Sequence, residues 1–259
     1  MELGLKGKRA LVTGASAGLG AAAATALAAE GAQVVINGRD RNRLEQAAQK
    51  IHEATGVQPT LHVGDVSRAV DVERITGEVG SIDIFVANSG GPPPGQFLDL
   101  TAQQWNEAGD LLIGSATHLT RAVLPNMIEQ KWGRVIYITS VAVLQPVDNL
   151  ILSNSYRAGV TGLCKTLSNN YARHGITFNC VCPGYTATER LLSLADSIAA
   201  DNGKTQQEVM DQFAATCPSG RLGQPDELAA LIAFLAGDKA AYITGTSIPV
   251  DGGLHRSLL

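Results

Sequence analysis

The stretch Thr13-Gly14-Ala15-Ser16-Ala17-Gly18-Leu19-Gly20 decides the fold. Just before it runs Arg9-Ala10-Leu11-Val12, a short apolar segment that reads as a strand. Just after it, Gly18–Glu30 is an Ala/Leu-rich helical stretch. A glycine-rich turn between a strand and a helix does three physical jobs. It turns sharply, lets the backbone come close to a pyrophosphate, and packs helix tightly on strand. The helix start then presents its free N–H groups to the phosphates. A tight turn with no ligand would need the first job only. The strand–turn–helix context favours a dinucleotide cradle.

Working outward, the same alternation repeats. Apolar runs fall at Arg9–Thr13, Gln33–Asn37, Thr60–Val63, Ile82–Asn88, Arg134–Ser140, Ile176–Cys182 and Thr246–Val250. Helical stretches between them cover Gly18–Glu30, Arg41–Ala54, Ala69–Val79, Ala102–Lys131, Ser153–His174 and Asp226–Ala236. The strands are continuously apolar, which suits burial on both faces under helices. Right-handed crossovers then give an α/β, doubly wound, seven-stranded parallel sheet with helices on both faces, a Rossmann fold. No composition shift marks a second domain, so 1–259 reads as one domain. The polar-rich, partly helical segment 187–219 fits no β–α slot. It follows the sixth strand and so leaves the carboxyl edge of the sheet, where ligands bind in open α/β folds. We read it as a substrate lid.

Composition excludes several classes. The 20 basic and 24 acidic residues give a net charge of −4 and no basic stripe, so no nucleic-acid partner is expected. No apolar run nears the ~20 residues of a membrane helix, and the start lacks a secretory signal pattern. The four cysteines form no CxxC pair and read as buried, reduced thiols of a cytoplasmic protein. The five scattered histidines show no ligand spacing, so no metal site is expected.

The spacing Gly14-x3-Gly18-x-Gly20 resembles that of the short-chain dehydrogenase/reductase family. So do Gly64-Asp65-Val66, Asn88-Ser89-Gly90, Pro183-Gly184-Tyr185-Thr186-Ala187-Thr188 and Val250-Asp251-Gly252-Gly253. The resemblance covers nearly the whole chain and points to the 3-oxoacyl-[acyl-carrier-protein] reductase branch. It implies that Gly14, Ser16, Gly18, Leu19 and Gly20 cradle the cofactor. It puts Asp65 and Val66 at the adenine, and Asn88 and Gly90 beyond the fourth strand. Pro183, Gly184, Thr186 and Thr188 would bracket the nicotinamide carboxamide. It further implies a homotetramer and a small-molecule carbonyl or hydroxyl substrate.

At the end of the second strand the chain reads Asn37-Gly38-Arg39-Asp40. Arg39 is placed to form charge-assisted bonds to a 2′-phosphate, and Gly38 leaves room for it, so NADP(H) is expected. A solvated Arg39 is the plainer reading, and Asp40 swinging toward a ribose would favour NAD(H).

The catalytic positions depart from the family. Its members use an Asn–Ser–Tyr–Lys tetrad, in which a phenol brought toward neutrality by a nearby cation passes the proton. Ser140 matches the serine. The tyrosine position holds Ser153, the lysine position Arg157, and the asparagine position Leu112. Ser153 is a far weaker acid than a phenol; the Arg157 guanidinium can still grip the nicotinamide ribose hydroxyls, but it does not relay a proton. Tyr156 lies three residues on, about 60° round the helix, and is the candidate replacement acid. Ser140, Ser153 and Arg157, joined by Asn154 and Tyr185, could instead stabilise an oxyanion. Gly90–Gln96, with its stiff Gly91-Pro92-Pro93-Pro94-Gly95 run, and Val141–Leu152 would wall the substrate pocket.

Two main readings follow. One is an NADP(H)-dependent carbonyl reductase with a non-standard site. The other is a catalytically silent NADP(H)-binding sensor or partner subunit. A different reaction on the same fold, a dehydration or isomerisation, also stays open.

Overall fold

The computed structural model describes residues 1–258. Seven strands form one parallel sheet: β1 (Arg9–Val12), β2 (Gln33–Gly38), β3 (Thr60–Val63), β4 (Ile84–Ala87), β5 (Gly133–Ile138), β6 (Ile176–Pro183) and β7 (Ser247–Val250). Their spatial order is β3-β2-β1-β4-β5-β6-β7. The order reverses between β1 and β4, so the loops leaving those strands diverge and open a crevice.

Alternate residues of each strand feed two separate cores. Ala10, Val12, Ile84, Val86, Ile136 and Val181 face one layer. That layer holds α1 (Gly18–Ala29), α2 (Arg41–Thr55) and α9 (Pro225–Ala236). Leu11, Phe85, Val135, Tyr137, Cys180 and Cys182 face the other, under α3 (Ala69–Val79), α5 (Ser115–Gln130) and α6 (Ile151–Tyr171). Both faces of the central strands are dry, which is why their sequences show no polar alternation. The four cysteines are free and buried.

The helix expected over Ala102–Lys131 is interrupted. It runs as α4 (Ala102–Gly109), a wide turn of π-helix over Asp110–Gly114, and then α5. Gly109 lets α6 approach, because a Cβ there would sit 3.2 Å from the Tyr156 ring. Lys131 ends α5 in the left-handed region at φ 55°. The strand expected to reach Ser140 stops at Ile138. Ser140 caps a short 3-10 turn instead, its hydroxyl accepting from the Ala142 N–H at 3.1 Å.

Segment 187–219 folds into α7 (Glu189–Asn202) and α8 (Gln206–Thr216). The pair has its own small core of Leu191, Ala195, Val209 and Phe213. Tyr185, just before it, stacks on Phe213 with ring centroids 4.3 Å apart. No described helix is long and apolar enough to cross a membrane.

Candidate active site

A cleft of about 650 Å³ lies across the carboxyl edge of the sheet. Its floor at one end is the glycine-rich turn. Gly14 and Gly18 have φ of 57° and 56°, conformations that side chains resist. Gly20 is constrained by contact rather than by φ. A Cβ there would stand 2.3 Å from the Gly14 carbonyl oxygen and 2.8 Å from Asn88 Nδ2. The turn is tied to the β4 loop by reciprocal bonds. The Thr13 hydroxyl donates to the Asn88 carbonyl at 2.8 Å, and the Asn88 N–H donates back to it at 3.0 Å. Asn88 Nδ2 donates to the Gly14 carbonyl at 3.0 Å.

These contacts hold the turn from behind and leave its front free. Residue Ala17 opens α1, and no side chain caps it. Among the described residues, the first N–H groups of α1 have no protein acceptor, and Gly18 and Leu19 line the cleft, the arrangement a phosphate completes. Nothing lies within 4 Å of the position a Gly90 Cβ would take. The residues present fit a pyrophosphate-bearing dinucleotide.

Most of the residues expected at the cofactor line this cleft: Gly14, Ser16, Gly18, Leu19 and Arg39 on one side. Asn88, Gly90, Pro183, Gly184, Thr186 and Thr188 line the rest. Gly20 sits behind, with its missing side chain as its contribution. Asp65 and Val66 are not in the lining. Val66 is buried in the second core, and the Asp65 carboxylate accepts from the Ser67 N–H and hydroxyl.

Arg39 is largely exposed at the rim, with its guanidinium 3.9 Å from the Asp65 carboxylate. That pair is too long and too exposed to hold it. Asp40 accepts from the Arg43 N–H as the cap of α2, so a swing toward a ribose would cost a helix cap. A Cβ at Gly38 would meet Leu44 and Ser16 at 3.3 Å, so its smallness serves the packing beneath the loop.

At the other end stand Ser140, Ser153 and Arg157, all in the lining. Helix α6 places the last two one turn apart. Arg157 Nε donates to the Ser153 hydroxyl at 3.1 Å. Its Nη1 donates to the carbonyls of Ile138 and Thr139 at 3.0 and 2.9 Å. Nη2 reaches only the Gly90 carbonyl, at 3.5 Å. Arg157 thus fastens α6 to the end of β5. Burial pushes its pKa down to about 10, with the Arg190 charge adding to the effect and Cys182 opposing it. It stays charged at neutral pH.

Both serine oxygens accept a protein N–H: Ser140 from Ala142 and Ser153 from Arg157. Among the described residues, neither hydroxyl proton has a protein acceptor. Each is therefore free to donate to an oxygen placed in the cleft, and the guanidinium polarises the Ser153 donor.

Tyr156 is not brought to this site. Its ring turns toward α4 and packs on Trp105 with centroids 5.9 Å apart. Asn154 lies beside the cleft rather than in it, donating to the Val147 carbonyl at 2.9 Å. Tyr185 lines the cleft, but burial raises its pKa, which makes it a poorer acid than a free phenol. Leu112 falls in the π-turn, buried. It lines a cavity of about 20 Å³ behind Arg157, room for about one water.

Arg43 and Leu254 escaped the sequence reading, and Glu189 and Arg190 fall in the expected lid without having been singled out. Glu189, the first residue of α7, bonds the Arg43 guanidinium across the cleft. None of the four belongs to a motif. Their positions depend on segments that meet only in the folded chain.

Residues 14–255 match the family described as enoyl-(acyl carrier protein) reductase. The 3-oxoacyl-[acyl-carrier-protein] reductase of Escherichia coli K12 is 35% identical over 254 residues, 98% of this chain and 99% of that one. The solved L-sorbose reductase of Gluconobacter frateurii, complexed with NADPH and L-sorbose, matches with a TM-score of 0.94 at 30% identity over 100% of both chains. A solved actinorhodin polyketide ketoreductase variant with NADPH matches at a TM-score of 0.93 and 31% identity, over 97% of this chain and 98% of that one.

Proposed function

The chain belongs to the short-chain dehydrogenase/reductase family, and from that premise we propose that it is an NADP(H)-dependent oxidoreductase acting on a small carbonyl or hydroxyl compound. Bound in the cleft, the nicotinamide supplies or takes up a hydride. The chain's own residues do the rest. The N–H groups opening α1 and the Gly14–Leu19 backbone hold the pyrophosphate, and Arg39 holds the 2′-phosphate. Ser140 and Ser153 donate to the substrate oxygen. Arg157 keeps the Ser153 hydroxyl oriented and polarised. Charge developing on that oxygen is then met by two fixed donors. The proton itself comes from solvent or a bound water, because Tyr156 turns away toward α4 and burial makes the Tyr185 phenol a poorer acid. Helices α7 and α8 act as the substrate lid.

The observation that carries this reading is the free front of two structures in one cleft: an uncapped helix start and a pair of hydroxyls with no protein acceptor. The test is NADPH oxidation with 3-oxoacyl thioesters, small ketones and sugars, beside direct titration of NADPH. Turnover on part of the panel is expected. Saturable NADPH binding with silence on every substrate would favour the non-catalytic sensor or partner subunit. The substitution Ser153→Tyr with Arg157→Lys separates the two readings. It should abolish a native activity, whereas creating one where the native chain has none would overturn the reductase reading.

We also expect a homotetramer. A groove of about 330 Å³ between α5 and α6, lined by Leu124, Ile128, Leu163 and Tyr171, suits pairing of helices across a two-fold. Light scattering should give about four times 27 kDa. The four buried free thiols suit a reducing cytoplasm.

A further inference from the structure

We propose that the substrate carries a carboxylate and that Arg190 selects it. The inference rests on the reductase reading and narrows its substrate class to small oxo acids or their hydroxy counterparts.

Arg190 sits in the first turn of α7, where the helix dipole disfavours a cation. Its guanidinium lies over Gly91, whose missing side chain makes the space. A Cβ there would meet Arg190 Nη2 at 2.9 Å and Nε at 3.0 Å. One donor is spent: Nη2 bonds the Pro92 carbonyl at 3.0 Å. That carbonyl belongs to the stiff proline run, so the guanidinium is held in place by a part of the wall that does not yield. The other N–H groups have no protein partner among the described residues, and no carboxylate lies within 4.0 Å.

Arg157 lines the same cleft, near enough for the two charges to repel. The one acidic residue in the lining, Glu189, is bonded to Arg43. The substrate end therefore holds two guanidinium groups, two hydroxyl donors and no negative charge to balance them. Two like charges, one of them at the dipole-positive end of α7, are unfavourable when the cleft is empty and favourable around an anion. A carboxylate matches the planar fork of Arg190. Apart from Tyr185 and Ser193, the remaining lining there is largely apolar, with Val141, Val147, Leu150, Leu194 and Leu254. It suits a short hydrocarbon body. A neutral ketone or a sugar would leave the charges unanswered.

The dinucleotide's pyrophosphate is the other anion that could reach a guanidinium here, so the experiment separates the two sources. Malonate and neutral malonamide are titrated by calorimetry into the NADPH-loaded protein, and NADPH is titrated separately by fluorescence. Wild type and Arg190→Gln are compared, with thermal unfolding to confirm that the variant folds. Malonate should bind wild type, malonamide should not, and Arg190→Gln should weaken malonate by at least about tenfold. The NADPH dissociation constant should stay within about twofold. Absent malonate binding, or binding that Arg190→Gln leaves unchanged, overturns the proposal. So does a tenfold or greater loss of NADPH affinity in the variant, which would assign Arg190 to the dinucleotide. Failure of wild type to bind NADPH would instead sink the reductase reading. Malonate would then be titrated into the unloaded protein, where the same two outcomes decide for or against Arg190.

Discussion

At the dinucleotide end of the cleft the contacts come from backbone, whereas at the substrate end they come from side chains. The first end needs a turn of a given shape, and Gly14, Gly18 and Gly20 supply it through what they lack. The second end needs particular functional groups at particular depths. As proposed, Ser140, Ser153, Arg157 and Arg190 supply those, and all four line the cleft. A backbone site admits almost no substitution at its glycines. A side-chain site can exchange one chemistry for another while the same helix and strand stay in place. The comparison explains how a chain can keep the first end while the second is free to change.

The comparison can be broken most severely at Gly20. Gly20→Ala drives a methyl into the Gly14 carbonyl, so we expect NADPH affinity to fall by at least about a hundredfold and stability by about 1–3 kcal/mol. Fluorescence titration and urea unfolding read the two effects. Unchanged binding would show that the turn is not the phosphate cradle.

Arg157→Leu comes next. It strips the Ile138 and Thr139 carbonyls of a donor and frees the Ser153 hydroxyl. Each buried group left unpaired costs about 1–3 kcal/mol, so urea unfolding should show a loss of that order and turnover should vanish. Arg157→Lys, with fewer donors, should fall between the two. A fully stable Leu variant would contradict the fastening role.

Arg39→Ala tests the rim. NADPH affinity should weaken about ten- to a hundredfold while NADH affinity stays unchanged, because only a 2′-phosphate meets that guanidinium. Equal losses for both dinucleotides would remove the basis for preferring NADP(H).

The pH profile sharpens the side-chain end. No histidine lines the cleft, and the serines do not titrate. Activity should be flat between about pH 6 and 9. Burial sets the folded pKa of Arg157 at about 10, so its positive charge is present below that value and lost as pH rises through it. Activity should therefore fall on the alkaline side. A limb near neutrality would mean that a group outside this cleft handles the proton.

The smallest effect is expected at Tyr156. Tyr156→Phe removes a hydroxyl on the α4 side of the helix, so kcat should change by no more than about twofold. A large loss would bring the phenol back as the acid.

The fold was legible in the sequence because its signals are local. Apolar strand runs, helical stretches and the glycine turn each carry their meaning within a few residues. The π-turn at Asp110–Gly114 was not legible, since Leu111-Leu112-Ile113 continues an ordinary helical pattern. The turn packs against a helix some forty residues on, with Gly109 facing Tyr156 and Ile113 facing Gly159. The dinucleotide end was readable for the same local reason. The substrate end was readable only as a set of positions. That Ser140 and Ser153 are both left as donors depends on partners at Ala142 and Arg157, which a list of residue types does not reveal. Arg190 was invisible because its neighbours Gly91 and Pro92 lie about a hundred residues earlier. Tyr156 misled because three residues along a helix is enough to change which neighbour a ring meets.

The reciprocal bonds between Thr13 and Asn88 have one more consequence. They stitch together the two loops that diverge at the sheet's reversal point, with no ligand taking part. The crevice is thus a preshaped mould rather than a glove, and little ordering entropy remains to be lost when it fills. Amide exchange in Thr13–Gly20 and around Asn88 should be slow before any dinucleotide is added, and should slow only modestly afterwards.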